Sequence, residues 1–431
     1  MATTRNPWAF VPSLYFAEGL PYVVVNTVAV VFYKRMGADN ATIAFWTSWL
    51  YLPWVAKMLW GPLVDLRATK RAWILATQLV MAGCLGAVAA AANLPAWFAV
   101  TMLGFTAAAF VSATHDIAAD GFYLLALDAR TQALFVGIRA FFYRMAMLFG
   151  SGLLVFVAGW LETRTGAVPR AWSLTFALTA AVCAAAWVYH HFALPRPAAD
   201  APRGAAGGDF LPEFGRVMAA YFRRPGIAAS VAFILLYRLG EALLVKLAAP
   251  FLLDARADGG LGLTTKQVGL VYGTVGVASL MAGGILGGWL LARYGLRRLI
   301  WPFALVLNLP HAAYLVMAHA QPAAALAYPL VAIEQLGYGL GFTAMTVYLL
   351  RLSRGDHGTA HYAISTGLMA LGMMLPGFVS GAIEQAVGYR AFFWIVLAAG
   401  GPGLLVIPWL RLRDGPDAGS SPPVPQPSSS R

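Results

Sequence analysis

The sequence is poor in charged residues and in cysteine. Only 11% of its 431 residues are charged, against roughly 25% in an ordinary soluble domain. Apolar residues make up 60%, and the mean hydropathy is +0.69. This balance excludes a soluble globular domain and predicts a membrane protein. The two cysteines, Cys84 and Cys183, lie in apolar runs without metal-ligand spacing, and we expect them to pack there.

Motifs for catalysis and nucleotide binding are missing from the sequence. It contains no H-E-x-x-H or paired-cysteine pattern, no nucleophile motif, no P-loop and no dinucleotide fingerprint. We therefore expect no enzyme activity, no cofactor and no metal site. The net charge of +12 comes from basic residues spread over short loops, so we expect no nucleic-acid partner.

Long apolar runs are abundant. A helix that spans a bilayer needs about 20 apolar residues, and we place twelve such runs, at 8–32, 41–63, 72–92, 95–120, 131–160, 171–193, 226–253, 266–292, 298–318, 324–350, 359–384 and 390–411. The sequence therefore predicts an all-α polytopic membrane protein with 12 transmembrane helices.

One stretch interrupts the apolar runs. Residues 194–210, LPRPAADAPRGAAGGDF, have the composition of a linker. We expect an N-terminal six-helix bundle at 1–193, a cytoplasmic linker at 194–225, a C-terminal six-helix bundle at 226–411 and a disordered tail at 412–431. Residues 211–225 fit a short amphipathic helix at the membrane surface, or else a polar loop.

The loops differ in basic charge. Eighteen Lys and Arg residues lie on the side of both termini and the linker, and seven lie on the other side. By the positive-inside rule, the termini and the linker are expected to be cytoplasmic.

Two of these loops carry matching patterns. GPLVDLRATKRAW follows the second run, and GGWLLARYGLRRL follows the eighth, with Ala292 in place of the acid. Acidic and basic side chains at helix ends can pair across an inner gate in one conformation and separate in another. The gate residues that we expect are Asp65, Arg67, Arg71, Arg293 and Arg297.

Six stretches of the chain resemble one family. They are FAEGLPY at 16–22, AKMLWGPLVD at 56–65, SATHDIAADGFY at 112–123, YRMAMLFGSGL at 143–153, LLYRLGEALL at 235–244 and EQLGYGLGFTA at 334–344. They resemble the major facilitator branch typified by the AmpG muropeptide permease, over most of residues 8–410. The resemblance implies two pseudo-symmetric bundles that alternate access to a midplane cavity, and import across a bacterial inner membrane.

Three positions depart from that branch. Glu18 stands where those permeases have serine, and His115 and His361 stand where they have glutamine. All three are expected to line the cavity, so they bear on the substrate, which the resemblance implies to be a sugar-peptide cell-wall fragment or a siderophore-like molecule.

Acidic side chains lie inside several of the apolar runs. Asp116 and Asp120 are four residues apart, so on a helix they share one face, where their repulsion would favour proton binding. A cap or gate role is equally open for Asp120. An embedded acid is costly unless it faces a cavity or a partner. The candidate proton-coupling residues are Asp116, Glu18, Glu334, Asp120 and Glu241.

Embedded basic and aromatic residues provide candidates for binding an anionic substrate. Lys57 either enters the cavity or extends to the interface, and Arg238 can pair with Glu241 at i, i+3. Arg139 and Tyr143 share a helix face. The full set of substrate-binding candidates is His115, Lys57, Arg139, Tyr143, Arg144, Arg238, Tyr22 and His361.

These features together predict a secondary active transporter. We expect a proton-coupled importer of a polar organic solute, monomeric, with the solute, protons and the lipid bilayer as its partners. A lipid flippase or drug exporter on the same fold is the first alternative. A membrane-embedded acyl transferase using His115 and Asp116 as acid and base is the second.

Overall fold

The computed structural model describes residues 5–201, 210–354 and 357–412. These residues form helices and their connections, with no β-strand among them. In chain order the helices are α1 (Pro7–Arg35), α2 (Asn40–Trp49), α3 (Leu52–Arg67), α4 (Lys70–Ala91), α5 (Trp97–Ala126), α6 (Arg130–Thr165), α7 (Val168–Ala193), α8 (Phe210–Phe222), α9 (Ile227–Leu253), α10 (Thr265–Tyr294), α11 (Leu296–Ala320), α12 (Ala324–Leu352) and α13 (Ala360–Trp409). The expected all-helical fold is confirmed for the described residues.

Ten of these helices are long and apolar enough to cross a membrane. Helix α13 has 50 residues, and Gly388 inside it adopts a φ of 75°, which ends one helical segment and begins another. Helices α2 and α3 are each too short to span alone, and they follow one another with a break at Leu50 and Tyr51. Twelve spans result if α2 and α3 form one and α13 forms two, and that count stays a prediction.

Side-chain caps set several helix starts. Asp39 accepts a hydrogen bond from the Thr42 amide at the start of α2, and Thr69 accepts one from the Ala72 amide at the start of α4. Thr264 forms a reciprocal capping box with Gln267 at the start of α10. These polar residues lie between apolar runs, so the local sequence itself determines where each of these helices begins.

Of the two alternatives for residues 211–225, a short helix or a polar loop, the structure has the helix, α8. In an interfacial helix Tyr221 would face the lipid, but here it does not. It is buried on α13, where it is hydrogen-bonded to Ser365 at 2.9 Å. Helix α8 is therefore docked on the second bundle. The tail at 413–431 and the linker residues 202–209 lie outside the described residues.

Residues 5–201 and 210–412 are called here the N half and the C half. Helices α3, α5 and α10 have their C-terminal ends on the same face as the linker, and we call this the linker face. The opposite face is called the far face. Ring clusters fill each half near the far face: Phe32, Phe105, Trp172 and Phe176 in the N half, and Phe251, Tyr314, Tyr389 and Phe393 in the C half.

The outer surface carries large apolar side chains. Leu103, Ile285 and Leu405 are 68–74% exposed. In water such a surface would be unfavourable, whereas hydrocarbon chains are as apolar as these side chains, so it suits a bilayer.

The halves approach each other closely between the far face and mid-depth. Along α2, α3 and α13, a Cβ at Gly381 would lie 2.2 Å from the Asn40 carbonyl oxygen. Along α6 and α10, a Cβ at Gly273 would lie 1.9 Å from the Ser151 carbonyl oxygen. Glycine is required at these positions because the two backbones touch.

Polar contacts join the same two halves at the far face. Lys34 forms an ion pair with Asp254 at 2.6 Å, and Tyr389 donates a hydrogen bond to the same carboxylate at 2.6 Å. Asn40 donates to Glu384 at 2.8 Å. The far face is therefore closed, and we call these five residues the far-face latch.

Candidate functional site

The N half contains a charged cluster inside the membrane span. Lys57 on α3 and Asp116 on α5 form an ion pair, although they are 59 residues apart in the sequence. Glu18 on α1 is buried, and its carboxyl group is in hydrogen-bonding contact with Asp116. Two carboxyl groups can form such a bond only if one of them carries a proton, because neither carboxylate has a donor of its own. The three residues therefore place one ammonium group beside two carboxyl groups.

A second cluster lies one helical turn closer to the linker face. Arg139 on α6 donates hydrogen bonds to Asp120 at 3.0 Å and to the Tyr15 hydroxyl at 2.9 Å. Tyr15 in turn donates to Asp120 at 2.8 Å. The guanidinium also lies 5.1 Å from the centre of the Tyr123 ring. This arrangement places Asp120 between a cation and a phenol.

Asp116 and Asp120 interact electrostatically, as the sequence leads one to expect. Both do lie on one face of α5, but each has its own cation, Lys57 or Arg139. The reason is geometric: positions four apart on a helix are about 6 Å apart along its axis, so they meet different neighbouring helices. The carboxyl group that contacts Asp116 is Glu18.

Arginines and aromatic rings line the space between the halves at mid-depth. Arg238 donates a hydrogen bond to the Tyr338 hydroxyl at 2.6 Å and lies 5.0 Å from the ring centres of Tyr338 and Phe342. Tyr22 of the N half lies near its guanidinium. The Nε atom of Arg238 is buried without a hydrogen-bond partner among the described residues. One donor of this guanidinium is therefore left for a ligand.

The N-half side of this space is aromatic. The Tyr22 ring packs 5.0 Å from Trp54 and 6.2 Å from Tyr143. Arg144 extends towards the C half, so that a Cβ at Gly284 would lie 3.4 Å from its Nη2 atom. The structure thus brings Tyr22, Tyr143, Arg144 and Arg238 to one region, with rings and two cations together.

The expected ion pair between Arg238 and Glu241 is not formed among the described residues. The helix is interrupted at Arg238, which has a φ of −111° and serves as the cap of the segment that begins at Leu239. The break directs Arg238 towards Tyr338, while Glu241 accepts a hydrogen bond from His311 at 3.2 Å. The i, i+3 rule fails here because it applies only within a continuous helix.

The C half holds a buried group of ionisable side chains. One ligand atom from each of Glu241 on α9, His311 on α11 and Glu334 on α12 lies within 4.8 Å of the other two. All three residues are at most 2% exposed. The candidates Glu241 and Glu334 are thus brought together, with a histidine that the sequence analysis did not single out.

Two of the predicted binding residues lie elsewhere. His115 accepts a hydrogen bond from Gln78 at 3.0 Å inside the N half, and Gln78 accepts one from His190 at 3.0 Å. His361 accepts one from Arg224 at 2.8 Å and packs under α8 against Tyr221. Neither imidazole reaches the space between the halves.

Two of the predicted gate residues contact their own halves in this conformation. Arg71 donates to the carbonyl oxygens of His191 and Leu194, both in the N half. Arg293 stacks on Trp289 and Tyr294 of its own helix. Of the other candidates, Arg67 on α3 and Arg297 on α11 are exposed, and the Asp65 side chain lies outside the described residues.

Sequence reasoning missed Tyr15, Tyr338 and His311. A signal existed for each. Tyr15 precedes Glu18 by one helical turn, and Tyr338 follows Glu334 by one turn, so each shares a face with an embedded acid. His311 is an ionisable residue within an apolar run, which by itself marks a candidate site in a membrane protein.

Comparison with known proteins identifies the family. The profile of the Major Facilitator Superfamily matches residues 13–360 and 242–430. The chain belongs to the Major Facilitator Superfamily. It is thus a member of a family of multi-pass membrane transporters, and the resemblance to the AmpG branch that the motifs predict is confirmed by its relatives.

Two of these relatives show the extent of the similarity. The chain is 27% identical over 403 residues to the anhydromuropeptide permease of Escherichia coli (strain K12), covering 91% of this chain and 77% of that one. It is 23% identical over 416 residues to the putative transporter AmpG 4 of Rickettsia conorii, covering 93% and 95%.

Solved structures share the fold. A D-xylose-proton symporter superposes with a TM-score of 0.70 at 13% identity, covering 94% of this chain and 97% of that one. A mutant of the peptide transporter POT, in complex with alafosfalin, gives a TM-score of 0.71 at 13% identity, with 95% and 96% coverage. At this identity the likeness establishes the architecture alone.

Proposed function

We propose that this superfamily member is a proton-coupled importer of sugar-peptide cell-wall fragments across a bacterial inner membrane. The observation that carries the proposal is the contact of Glu18 with Asp116 beside Lys57, because two carboxyl groups that contact each other bind a shared proton readily. The substrate class is supported by the relative named anhydromuropeptide permease, which matches 91% of the chain.

The proton is carried by the pair of Glu18 and Asp116. With a proton on Glu18, the pair has one negative charge, which Lys57 neutralises. Loss of the proton leaves two carboxylates and one ammonium group in a low-dielectric region, which favours a conformation that admits water or a second cation. Proton binding therefore biases the equilibrium between the two orientations of the cavity.

The substrate binds between the halves at mid-depth. Arg238 and Arg144 supply charge for the carboxylates of a peptide, and the rings of Tyr22, Tyr143 and Tyr338 supply flat apolar surface for a sugar. The buried Nε donor of Arg238 gives this region a directional contact for an anionic group.

Transport proceeds by alternating access. The far-face latch holds the halves together on the side of Lys34 and Asp254, while Arg71 and Arg293 on the linker face make no contact across the halves in the described chain. Because basic residues are concentrated on the linker face, we assign that face and both termini to the cytoplasm. The conformation is then inward-facing, and the chain acts as a monomer.

The proposal is tested by uptake into proteoliposomes. The purified protein is supplied with an anhydro-muropeptide, a set of siderophores and a thioester, with and without an inward proton gradient. We expect gradient-driven accumulation of the anhydro-muropeptide. Glu18→Gln is expected to abolish accumulation while counterflow exchange continues, because exchange needs no net proton movement. Asp258→Asn, which removes an exposed acid, serves as the matched control.

The same assay tests the substrate contact. Arg238→Lys is expected to raise KM about 10-fold, since lysine cannot reproduce the planar donor set, and Arg170→Lys at an exposed position is the control. Accumulation by Glu18→Gln equal to wild type would refute the proton role. Uptake of a siderophore in place of the anhydro-muropeptide would refute the substrate class and leave the coupling intact.

A further inference from the structure

The group of Glu241, His311 and Glu334 is called here the C-half triad. It differs from the group of Lys57, Asp116 and Glu18, called here the N-half cluster. In the N half a lysine neutralises an acid directly. In the C half two carboxyl groups and an imidazole meet with no lysine or arginine in ion-pair contact among the described residues. Arg238 interacts electrostatically with Glu241, but its Nη2 atom donates a hydrogen bond to the Tyr338 hydroxyl.

The hydrogen bonds of the triad are incomplete. Glu241 accepts one from His311, and Glu334 accepts one from Gln335 at 2.8 Å. The second carboxylate oxygen of Glu334, Oε1, is buried without a partner among the described residues, and Glu334 is 1% exposed. Burying a carboxylate oxygen without a partner is strongly unfavourable. A ligand of positive charge would remove this penalty.

The spacing of the triad suits a metal ion. Three atoms that lie within 4.8 Å of one another have a common point no more than about 2.8 Å from each, whereas protein ligands bind Zn²⁺ at about 2.0–2.2 Å. A shift of at most about 0.6–0.8 Å at each side chain closes that difference. The 3.2 Å between His311 Nε2 and Glu241 Oε2 is the separation of two neighbouring ligands around such an ion.

The ligand types select the class of ion. Carboxylates bind many cations, but imidazole is a ligand of transition metals and is unsuited to Na⁺, Mg²⁺ or Ca²⁺. Two carboxylates and a neutral imidazole carry a charge of −2, which one divalent ion cancels. We propose that the C-half triad binds a divalent transition-metal ion such as Zn²⁺, Mn²⁺ or Fe²⁺, held by Glu241, His311 and Glu334.

The ion would connect three helices. Glu241 lies on α9, Glu334 on α12, and His311 at the short 3₁₀ turn inside α11. A Cβ at Gly240 would lie 3.3 Å from His311 Nδ1, so the imidazole is wedged against the backbone of α9. A bound metal would therefore make the C half one rigid body against which the N half moves.

Metal analysis of the purified full-length protein tests the proposal. The affinity tag is removed, because tag histidines bind metals, and the metal content is measured after incubation with Zn²⁺ and dialysis. We expect one ion per wild-type chain. Co²⁺ substitution is expected to give the visible absorption of a nitrogen and oxygen-ligated ion. Glu334→Gln and His311→Gln are each expected to weaken Zn²⁺ binding at least about 10-fold.

The matched control is Glu384→Gln, which removes another buried acid of the same half outside the triad. It is expected to keep the ion. Thermal unfolding separates binding from folding: Zn²⁺ is expected to raise the Tm of wild type and of Glu384→Gln and to leave that of Glu334→Gln unchanged. The measurement needs no transported solute, so its outcome is independent of the proposed transport function.

Two results would overturn the metal site. The first is a metal-loaded wild type whose Zn²⁺ content equals that of His311→Gln. The second is a metal-free wild type with an infrared band of a protonated carboxyl group that Glu334→Gln removes, since protons would then neutralise the triad.

Discussion

Lys57 supplies the positive charge that neutralises Asp116 in the N-half cluster. It contributes the only cation in direct contact with Asp116 among the described residues, and Glu18 contributes a second carboxyl group to the same place. The pair is partly exposed, with 26% of the Lys57 side chain and 19% of the Asp116 side chain accessible. Partial exposure reduces both the penalty for burying the ions and the gain from pairing them.

Replacing Lys57 therefore has a defined consequence. Lys57→Met leaves the Asp116 carboxylate without its cation, and we expect a loss of stability of about 1–3 kcal/mol, less than the value for a fully buried pair. The double variant Lys57→Met, Asp116→Asn is expected to recover most of it. Thermal unfolding in detergent measures both. Equal losses in the single and the double variant would show that the ion pair contributes nothing to the folded state.

At the scale of elements, the contact of α6 with α10 depends on small residues. Both helices contain wider π-helical turns, at Leu148–Leu154 and Gly269–Gly276, and these turns face each other. A Cβ at Gly273 would lie 1.9 Å from the Ser151 carbonyl oxygen and 2.2 Å from its carbonyl carbon. Since backbone atoms cannot move aside as a flexible side chain can, the helices must separate to accommodate any larger residue.

Gly273→Ala is expected to disfavour the closed far face and to lower uptake at least about 10-fold, which corresponds to about 1.4 kcal/mol. The control is Gly288→Ala on the same helix, where a Cβ would meet no atom within 4 Å. Spin labels at Arg164→Cys and Ala257→Cys, both exposed at the far face, report the distance between the halves. The two native cysteines are replaced by serine for this measurement. A distance distribution unchanged by Gly273→Ala would contradict the proposed closure.

At the scale of the whole molecule, a polar latch and an apolar interface close the far face together. The Asp254 carboxylate accepts from Lys34 of the N half and from Tyr389 of its own half. Opening the far face must break these contacts, so the latch sets part of the equilibrium between the two cavity orientations. Charge-assisted hydrogen bonds of this kind contribute about 1.5–3 kcal/mol.

Asp254→Asn is therefore expected to increase the open population about 10-fold, as measured by the same pair of spin labels. Asp258→Asn, an exposed acid four residues further along, is the control. A closed population unaltered by Asp254→Asn would mean that the apolar and backbone contacts close the far face without the latch.

The protonation of Asp39 makes closure of the far face depend on pH. Asp39 lies in the loop between α1 and α2. Burial raises its pKa, but hydrogen bonds from Thr42 and from Gln385 of the C half outweigh burial and hold the pKa below its ordinary value. Of these hydrogen bonds only that from Gln385 joins the halves, so only its part of the lowering favours closure. This part is present above the pKa that Asp39 has when the far face is open, and it is lost as the pH falls through the lower pKa of the closed state. Acidification is expected to favour opening, which the same spin labels measure across a pH series.

Much of the architecture follows from sequence alone. The apolar runs predict the helices because a backbone in hydrocarbon must satisfy its hydrogen bonds internally. Asp39, Thr69 and Thr264 mark where helices begin, and the six motifs identify the family. The embedded acids are recognisable for the same reason, since an ionisable residue in an apolar run is too costly to be incidental.

The tertiary structure alone decided which of these residues meet. Helical periodicity places Asp116 and Asp120 on one face, but the neighbouring helices determine that Asp116 contacts Glu18 and Lys57 while Asp120 contacts Arg139 and Tyr15. The break at Arg238 separates it from Glu241, and His311 takes its place. Partners that are 59 to 105 residues apart are set by helix packing, which no local pattern encodes.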